Sequence, residues 1–356
     1  MMKQLICEMC GGKDLIKQEG VFVCQSCGCK YSVEEAKKMM IEGTVDVSGS
    51  TVKIDNSGLI ENYYKMAESA YESGNEEDTE SYCNKIIEID SNNYRVWFLK
   101  GKAVGWLSTL QNIRYAESVN CLYKAIENAP DEEKCELKKE ASQEIIKFTD
   151  RFTAYICECF AKNPNEYSLS WIQNCLKQIQ LYCVPFLNKN EALEETSKFK
   201  KRISMLLNNA ATNAWKNKVS SDYKGVSNHP NYYRWCDYLQ QGGFVLTLLQ
   251  TSIDFYNDEQ SFNVIRYKNM IAVQEELINS CSYTYSGGRW VVDYTLTDNA
   301  KKIRKDKIEA WRKETVKKSG GWTDNLPNSA VNERKEIVKK TGGWTLPYSS
   351  EEDDSN

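Results

Sequence analysis

The sequence predicts a mainly α-helical chain: a small β module at the N-terminus, then an α-solenoid of helical hairpins. Three observations predict it. Four cysteines near the N-terminus, Cys7, Cys10, Cys24 and Cys27, form two Cys-x2-Cys pairs around short runs of β-forming residues. From Leu59 onward the apolar spacing changes to that of amphipathic helices. Within that region a helix–turn–helix pattern occurs twice in succession.

The first element spans residues 1–43. Two Cys-x2-Cys turns each offer a pair of sulfurs from one tight loop, and four thiolates satisfy zinc's tetrahedral preference. Each pair is followed by glycine, Cys10-Gly11 and Cys27-Gly28, where a positive φ lets backbone amides approach the sulfurs. Between the pairs, "DLIKQEGVFVC" reads as a β-hairpin turning at Glu19-Gly20. The expectation is one zinc ion per chain on Cys7, Cys10, Cys24 and Cys27, with Cys29 a bystander. A module this small cannot bury a sufficient core, so the metal would hold its fold. Four thiolates leave no open position for water or substrate, so the ion would be structural.

The segment from Cys7 to Tyr31 resembles a transcription-factor-B-type zinc ribbon. The resemblance implies the four ligands and a surface for contacting protein or nucleic acid. Residues 1–43 hold six Lys and six Asp/Glu, without the excess positive charge that drives phosphate binding. Protein contact is therefore the expectation for this module.

Ser32 and Glu35 form a capping-box pattern that opens a short helix ending at Gly43. Residues 44–58 follow, where Val45, Val47, Val52 and Ile54 alternate with polar residues around Ser48-Gly49-Ser50. This reads as a β-hairpin or an extended linker. Residues 59–130 resemble two degenerate tetratricopeptide repeats. In the first, Tyr63, Ala67 and Tyr71 share a helix face, Gly74 ends that helix, and Tyr82, Ile86 and Ile89 line the second. In the second copy, Trp97, Gly101, Ala125 and Pro130 occupy repeat positions. The first copy carries Thr79 where the pattern has alanine. Such repeats bury their apolar face only by stacking, so residues 131–300 are expected to continue as irregular helical hairpins, with a break near Pro185.

Residues 301–346 are basic. "RKETVKKSGGWT" at 312–323 recurs as "RKEIVKKTGGWT" at 334–345. Each copy reads as a charged helix, a Gly-Gly stop and a tryptophan, Trp322 or Trp344, expected to dock on the chain's own body. Glu309 is placed to pair with Arg312 and Lys313 within the helix. The acidic tail, 347–356, has the composition of a disordered segment.

The chain holds one histidine, His229. It has no phosphate-binding loop, no dinucleotide fingerprint and no His-Glu-x-x-His motif. An enzyme is therefore not expected. Nine further cysteines, scattered along helical patterns, read as small buried hydrophobes. No run is long and apolar enough for a membrane span or signal peptide, so the expected location is the cytoplasm. The whole resembles bacterial proteins that join a zinc ribbon to tetratricopeptide repeats, which implies a scaffold for protein or peptide partners. The alternative is a transcription- or nucleic-acid-associated factor using the ribbon and the basic helix. Residues 301–340 carry thirteen Lys/Arg against six Asp/Glu, while the chain as a whole carries a net −4. An acidic body with one basic segment disfavours that alternative.

Overall fold

The computed structural model describes residues 7–18, 20–36, 56–190, 193–225, 228–257 and 260–318. The chain divides into two units, Met1–Ser57 and Gly58–Asn356. It is mainly helical, with a small N-terminal β region.

In the first unit, β1 (Leu15–Gln18), β2 (Val21–Cys24) and β3 (Lys30–Ser32) form an antiparallel sheet in that order. Leu15 pairs with Cys24, Gln18 with Val21, and Val21 with Ser32. The β1–β2 turn passes through Gly20 at φ +88°. The core is small: Cys7, Cys24 and Tyr31 are buried, with Leu15, Phe22 and Cys29 packed against them. One helical turn at 33–36 follows. Its capping box is reciprocal: the Ser32 N–H donates to Glu35 Oε2 at 2.8 Å, and the Glu35 N–H donates to Ser32 Oγ at 3.2 Å. The rest of that expected helix and residues 44–55 of the expected hairpin or linker lie outside the described residues.

The second unit opens with helices paired in antiparallel hairpins. These are α1 (Ser57–Glu72) with α2 (Glu76–Ile89), α3 (Tyr94–Trp106) with α4 (Tyr115–Asn128), and α5 (Lys134–Lys162) with α6 (Glu166–Gln178). Asparagines at 75, 93 and 165 cap α2, α3 and α6 by accepting from the third backbone N–H, each cap worth about 1 kcal/mol. Thr79, in the place of a repeat alanine, is fully buried and donates its hydroxyl to the Asn75 carbonyl at 2.8 Å. Arg114, at the start of α4, forks onto both Glu80 oxygens at 2.7 Å and onto Glu117, tying the first hairpin to the second.

Beyond α6 a π-helical turn, Ile179–Cys183, leads into α7 (Val184–Asn190). Pro185 has no N–H to continue the α pattern, and a wide turn there absorbs the misfit. Next come α8 (Leu193–Ala214), a second π turn (Trp215–Val219), α9 (Ser220–Lys224), α10 (Tyr232–Phe255) and α11 (Gln260–Ile278). One continuous apolar core runs from Trp97 to Leu277.

Three expectations are corrected. Residues 281–295 are not helical but form a β-hairpin, β4 (Cys281–Ser286) with β5 (Arg289–Thr295). The turn residues Gly287 and Gly288 both have positive φ, the backbone that a two-residue hairpin turn requires, and β-branched and aromatic residues flank it. Of the nine scattered cysteines, Cys83, Cys121, Cys157, Cys175 and Cys183 are buried, Cys159, Cys236 and Cys281 are half-buried, and Cys135 is exposed on the first turn of α5. Burial pushes the Cys121 and Cys175 thiols up to about 11, which keeps them protonated and inert. Finally, α12 (Asp298–Lys318), with Ile308 buried, packs on α11; Arg304 donates to Gln274 and Arg312 pairs with Glu275, both at 2.7 Å, the latter rather than with Glu309. The Gly-Gly-Trp units and the acidic tail lie outside the described residues.

Candidate functional site

The first site is built by two turns and a strand end. Cys7 and Cys10 bracket one turn, closed by the Gly11 N–H donating to the Cys7 carbonyl at 2.8 Å. Cys24 ends β2, and Cys27 follows in a turn closed by the Gly28 N–H donating to the Cys24 carbonyl at 2.9 Å. Gly11 and Gly28 sit at φ +69° and +77°, so the glycine after each pair does supply the left-handed residue that the knuckle needs. The sheet register places Cys24 opposite Leu15, which brings the second knuckle against the first.

The four Sγ atoms lie within 4.8 Å of one another. Cys7 and Cys27 are 3.5 Å apart, and Cys10 and Cys24 are 3.6 Å apart. A tetrahedral ion with metal–sulfur bonds of about 2.3 Å sets its sulfurs about 3.8 Å apart. The donor set therefore fits one ion at its centre. Cys7 and Cys24 are buried, while Cys10 and Cys27 face solvent. Cys29 stands outside the tetrad; its carbonyl accepts from the Cys24 N–H at 2.9 Å.

Sequence reasoning missed one member of this site. The Tyr31 hydroxyl lies 3.1 Å from Cys7 Sγ. That hydrogen bond, followed by the N–H groups of Cys10 and Met9, draws the Cys7 thiol down to about 6 against the opposing effect of burial. The same bond pushes the Tyr31 hydroxyl up to about 12. When Cys7 is a thiolate, the form that binds metal, it can only accept, so the Tyr31 hydroxyl is then the donor and favours that form.

The second site is a groove of about 720 Å³ on the first helices of three successive hairpins. Tyr64 and Tyr71 come from α1, Tyr94 and Phe98 from α3, and Leu137 and Glu140 from α5. The residues recur at helical spacing, so each helix turns one stripe to the groove. Cations already sit on its rings: Lys102 lies 4.3 Å from the Tyr71 ring centre and 5.6 Å from that of Phe98. Burial holds the Tyr64 and Tyr71 hydroxyls up at about 12.

His229 precedes α10, with its ring stacked on Trp290 at 4.9 Å and edge-on to Tyr283 at 5.1 Å. Among the described residues, no helix is long and apolar enough to cross a membrane. The chain matches no protein-family model and no curated protein.

Proposed function

We propose that this protein is a cytoplasmic interaction scaffold without catalytic activity. A structural zinc ion on Cys7, Cys10, Cys24 and Cys27 holds an N-terminal ribbon, and a tetratricopeptide-like helical stack presents a surface for a protein or peptide. Zinc is favoured by the donor chemistry: four thiolates at tetrahedral spacing suit this ion, which needs no further ligand and performs no redox chemistry.

The aromatic groove carries the reading. Its lining comes from the first helix of each of three consecutive hairpins, with the rings on α1 and α3 and Leu137 and Glu140 on α5, the arrangement by which a stacked repeat makes an extended binding surface. Tyr64, Tyr71, Tyr94 and Phe98 offer large contact area at small entropic cost, and Lys65, Arg95, Lys102 and Glu140 can fix the direction of a bound chain.

Selection of a random linear-peptide display library on the full zinc-loaded chain tests this. Peptides should be enriched, and their binding should fall at least about tenfold with Tyr71→Ala plus Phe98→Ala, the loss expected for a central aromatic contact. If nothing is enriched, or if enriched peptides bind the variant equally well, the groove is not the binding surface.

A further inference from the structure

The aromatic groove on α1, α3 and α5 is acidic. Its lining holds five glutamates against three cations, a net of −2. The two signs are placed differently. α1 brings Glu61, Glu68 and Glu72, and α5 with its N-cap brings Glu133 and Glu140. The charged lining of α3, between them in sequence, is wholly cationic: Arg95 and Lys102.

Each cation is already engaged by a group of the groove. Lys65 pairs with Glu61, one turn earlier, at 3.3 Å. Arg95 Nε donates to the Tyr94 hydroxyl at 3.1 Å, and that hydroxyl donates to Glu133. Lys102 lies over the rings of Tyr71 and Phe98. The carboxylates are less fully engaged. Among the described residues, Glu72 and Glu140 have no ion pair and no side-chain hydrogen bond, and both are exposed. Glu68 lies beside the Tyr64 hydroxyl. The tyrosines feel the same negative field. Burial first, then the charge of Glu68 on Tyr64 and of Glu144 on Tyr71, holds their hydroxyls up at about 12, against a smaller opposing effect of Arg95 on Tyr64.

An anionic ligand would have to displace these contacts to reach a cation. A cationic one meets open carboxylates and the faces of aromatic rings, and Lys102 shows that those faces accept an ammonium group. Granted the reading that this groove takes a peptide, we infer that its occupant is a basic peptide of another protein, with Lys or Arg interleaved among apolar residues.

The apolar residues of that peptide pack on the rings and on Leu99 and Leu137, both buried in the groove floor. Its cationic side chains reach Glu72 on one side and Glu140 on the other. The cations of α3 act by exclusion: like charge turns the peptide's own cations away from the middle helix and toward α1 and α5. The net charge of the groove likewise gives no drive for a nucleic acid.

Peptides enriched from a random linear library on the full zinc-loaded chain are sorted by whether Tyr71→Ala plus Phe98→Ala weakens them. The groove-dependent set should carry more Lys and Arg, and less Asp and Glu, than the unselected library. Glu72→Gln plus Glu140→Gln should weaken its binding about threefold or more at about 50 mM salt, the scale of two exposed charge contacts. At about 500 mM salt that difference should shrink, because such contacts are screened. Glu158→Gln plus Glu194→Gln removes the same charge from exposed sites outside the groove and should leave binding unchanged. Far-UV circular dichroism checks that each variant folds, and either single groove variant decides the matter if the pair does not. A groove-dependent set that is neutral or acidic overturns the basic-peptide inference and leaves the groove as the binding surface. So does a set indifferent to the Glu72 and Glu140 changes, or one weakened equally by the control pair. If no groove-dependent peptide is found, the groove reading and the inference fall together.

Discussion

Two neighbouring glycines in the middle of α10 should respond oppositely to the same substitution. A Cβ on Gly243 would meet nothing within 4 Å. A Cβ on Gly242 would lie 2.7 and 3.0 Å from the Leu277 methyls and 3.2 Å from the Trp215 ring. Both neighbours are themselves buried, with Leu277 fully enclosed and Trp215 only 1% exposed, so neither can swing aside. Replacing glycine by alanine inside a helix gains about 0.8–1.0 kcal/mol from backbone propensity. Both variants receive that gain. Only Gly242→Ala also overpacks a close-packed core, at a cost of about 1–3 kcal/mol. Gly243→Ala should therefore be about 1 kcal/mol more stable than the parent, and Gly242→Ala unchanged to about 2 kcal/mol less stable. Propensity cancels between the two, so the gap of about 1–3 kcal/mol reports the packing alone. At about 2–4 °C per kcal/mol for a unit of this size, their melting temperatures should differ by roughly 2–12 °C. Thermal unfolding followed by far-UV circular dichroism measures it. A Gly242→Ala protein as stable as Gly243→Ala would mean that α10 does not approach α11 and the Trp215 turn this closely.

Other outcomes follow from the same reasoning. Elemental analysis should find one zinc per chain, and Cys7→Ser with Cys10→Ser should abolish it while the helical signal persists. Tyr31→Phe removes the hydroxyl 3.1 Å from Cys7 Sγ, so chelator competition should show metal affinity lowered by about 10–100-fold. Arg114 holds the Glu80 carboxyl below its ordinary value, so this contact stabilises fully above the unfolded carboxylate pKa and is lost as pH falls through the lower folded value. Arg114→Gln should therefore destabilise the second unit at neutral pH and flatten the acid limb of its pH–stability profile below about pH 4.5. Against DNA or RNA at physiological salt, the chain should bind no tighter than the nonspecific range, with a Kd of about 10⁻⁴–10⁻⁶ M. A nanomolar complex weakened by changing Lys301, Lys302 and Lys305 would refute the scaffold reading.

The convergence of the four cysteines was legible because its information is local. Spacing within each Cys-x2-Cys pair, a glycine at Gly11 and Gly28, and a hairpin between the pairs suffice to converge four sulfurs. Ser32 and Glu35 were legible for the same reason: the partners stand three residues apart, and the bond between them depends on little else. Tyr31 was not legible. Its hydroxyl reaches Cys7 across twenty-four residues, and nothing in the residue type separates a tyrosine that holds a thiolate from one that fills a core.

The helical stack divides along the same line. Period and caps reveal helices, but not what a tolerated departure does: Thr79 reads as a defect in the repeat until its hydroxyl is seen bonded to the Asn75 carbonyl. Residues 281–295 show how a strong local signal can lose to its surroundings in the reading. "SYTYSGGRWVVDYT" has the Gly-Gly turn and β-branched flanks of a hairpin, yet it directly follows the long helix that ends at Ile278. Extending the helical period through it hides the turn. An isolated two-stranded hairpin is marginal in water, and this one is held by its neighbours. Ser282 is fully buried, the Tyr223 hydroxyl engages both the N–H and the carbonyl of Cys281, and Pro230 accepts from Tyr283. Those contacts come from residues more than fifty positions upstream in the chain. The hairpin's existence is therefore a local fact, but its anchoring is a tertiary one.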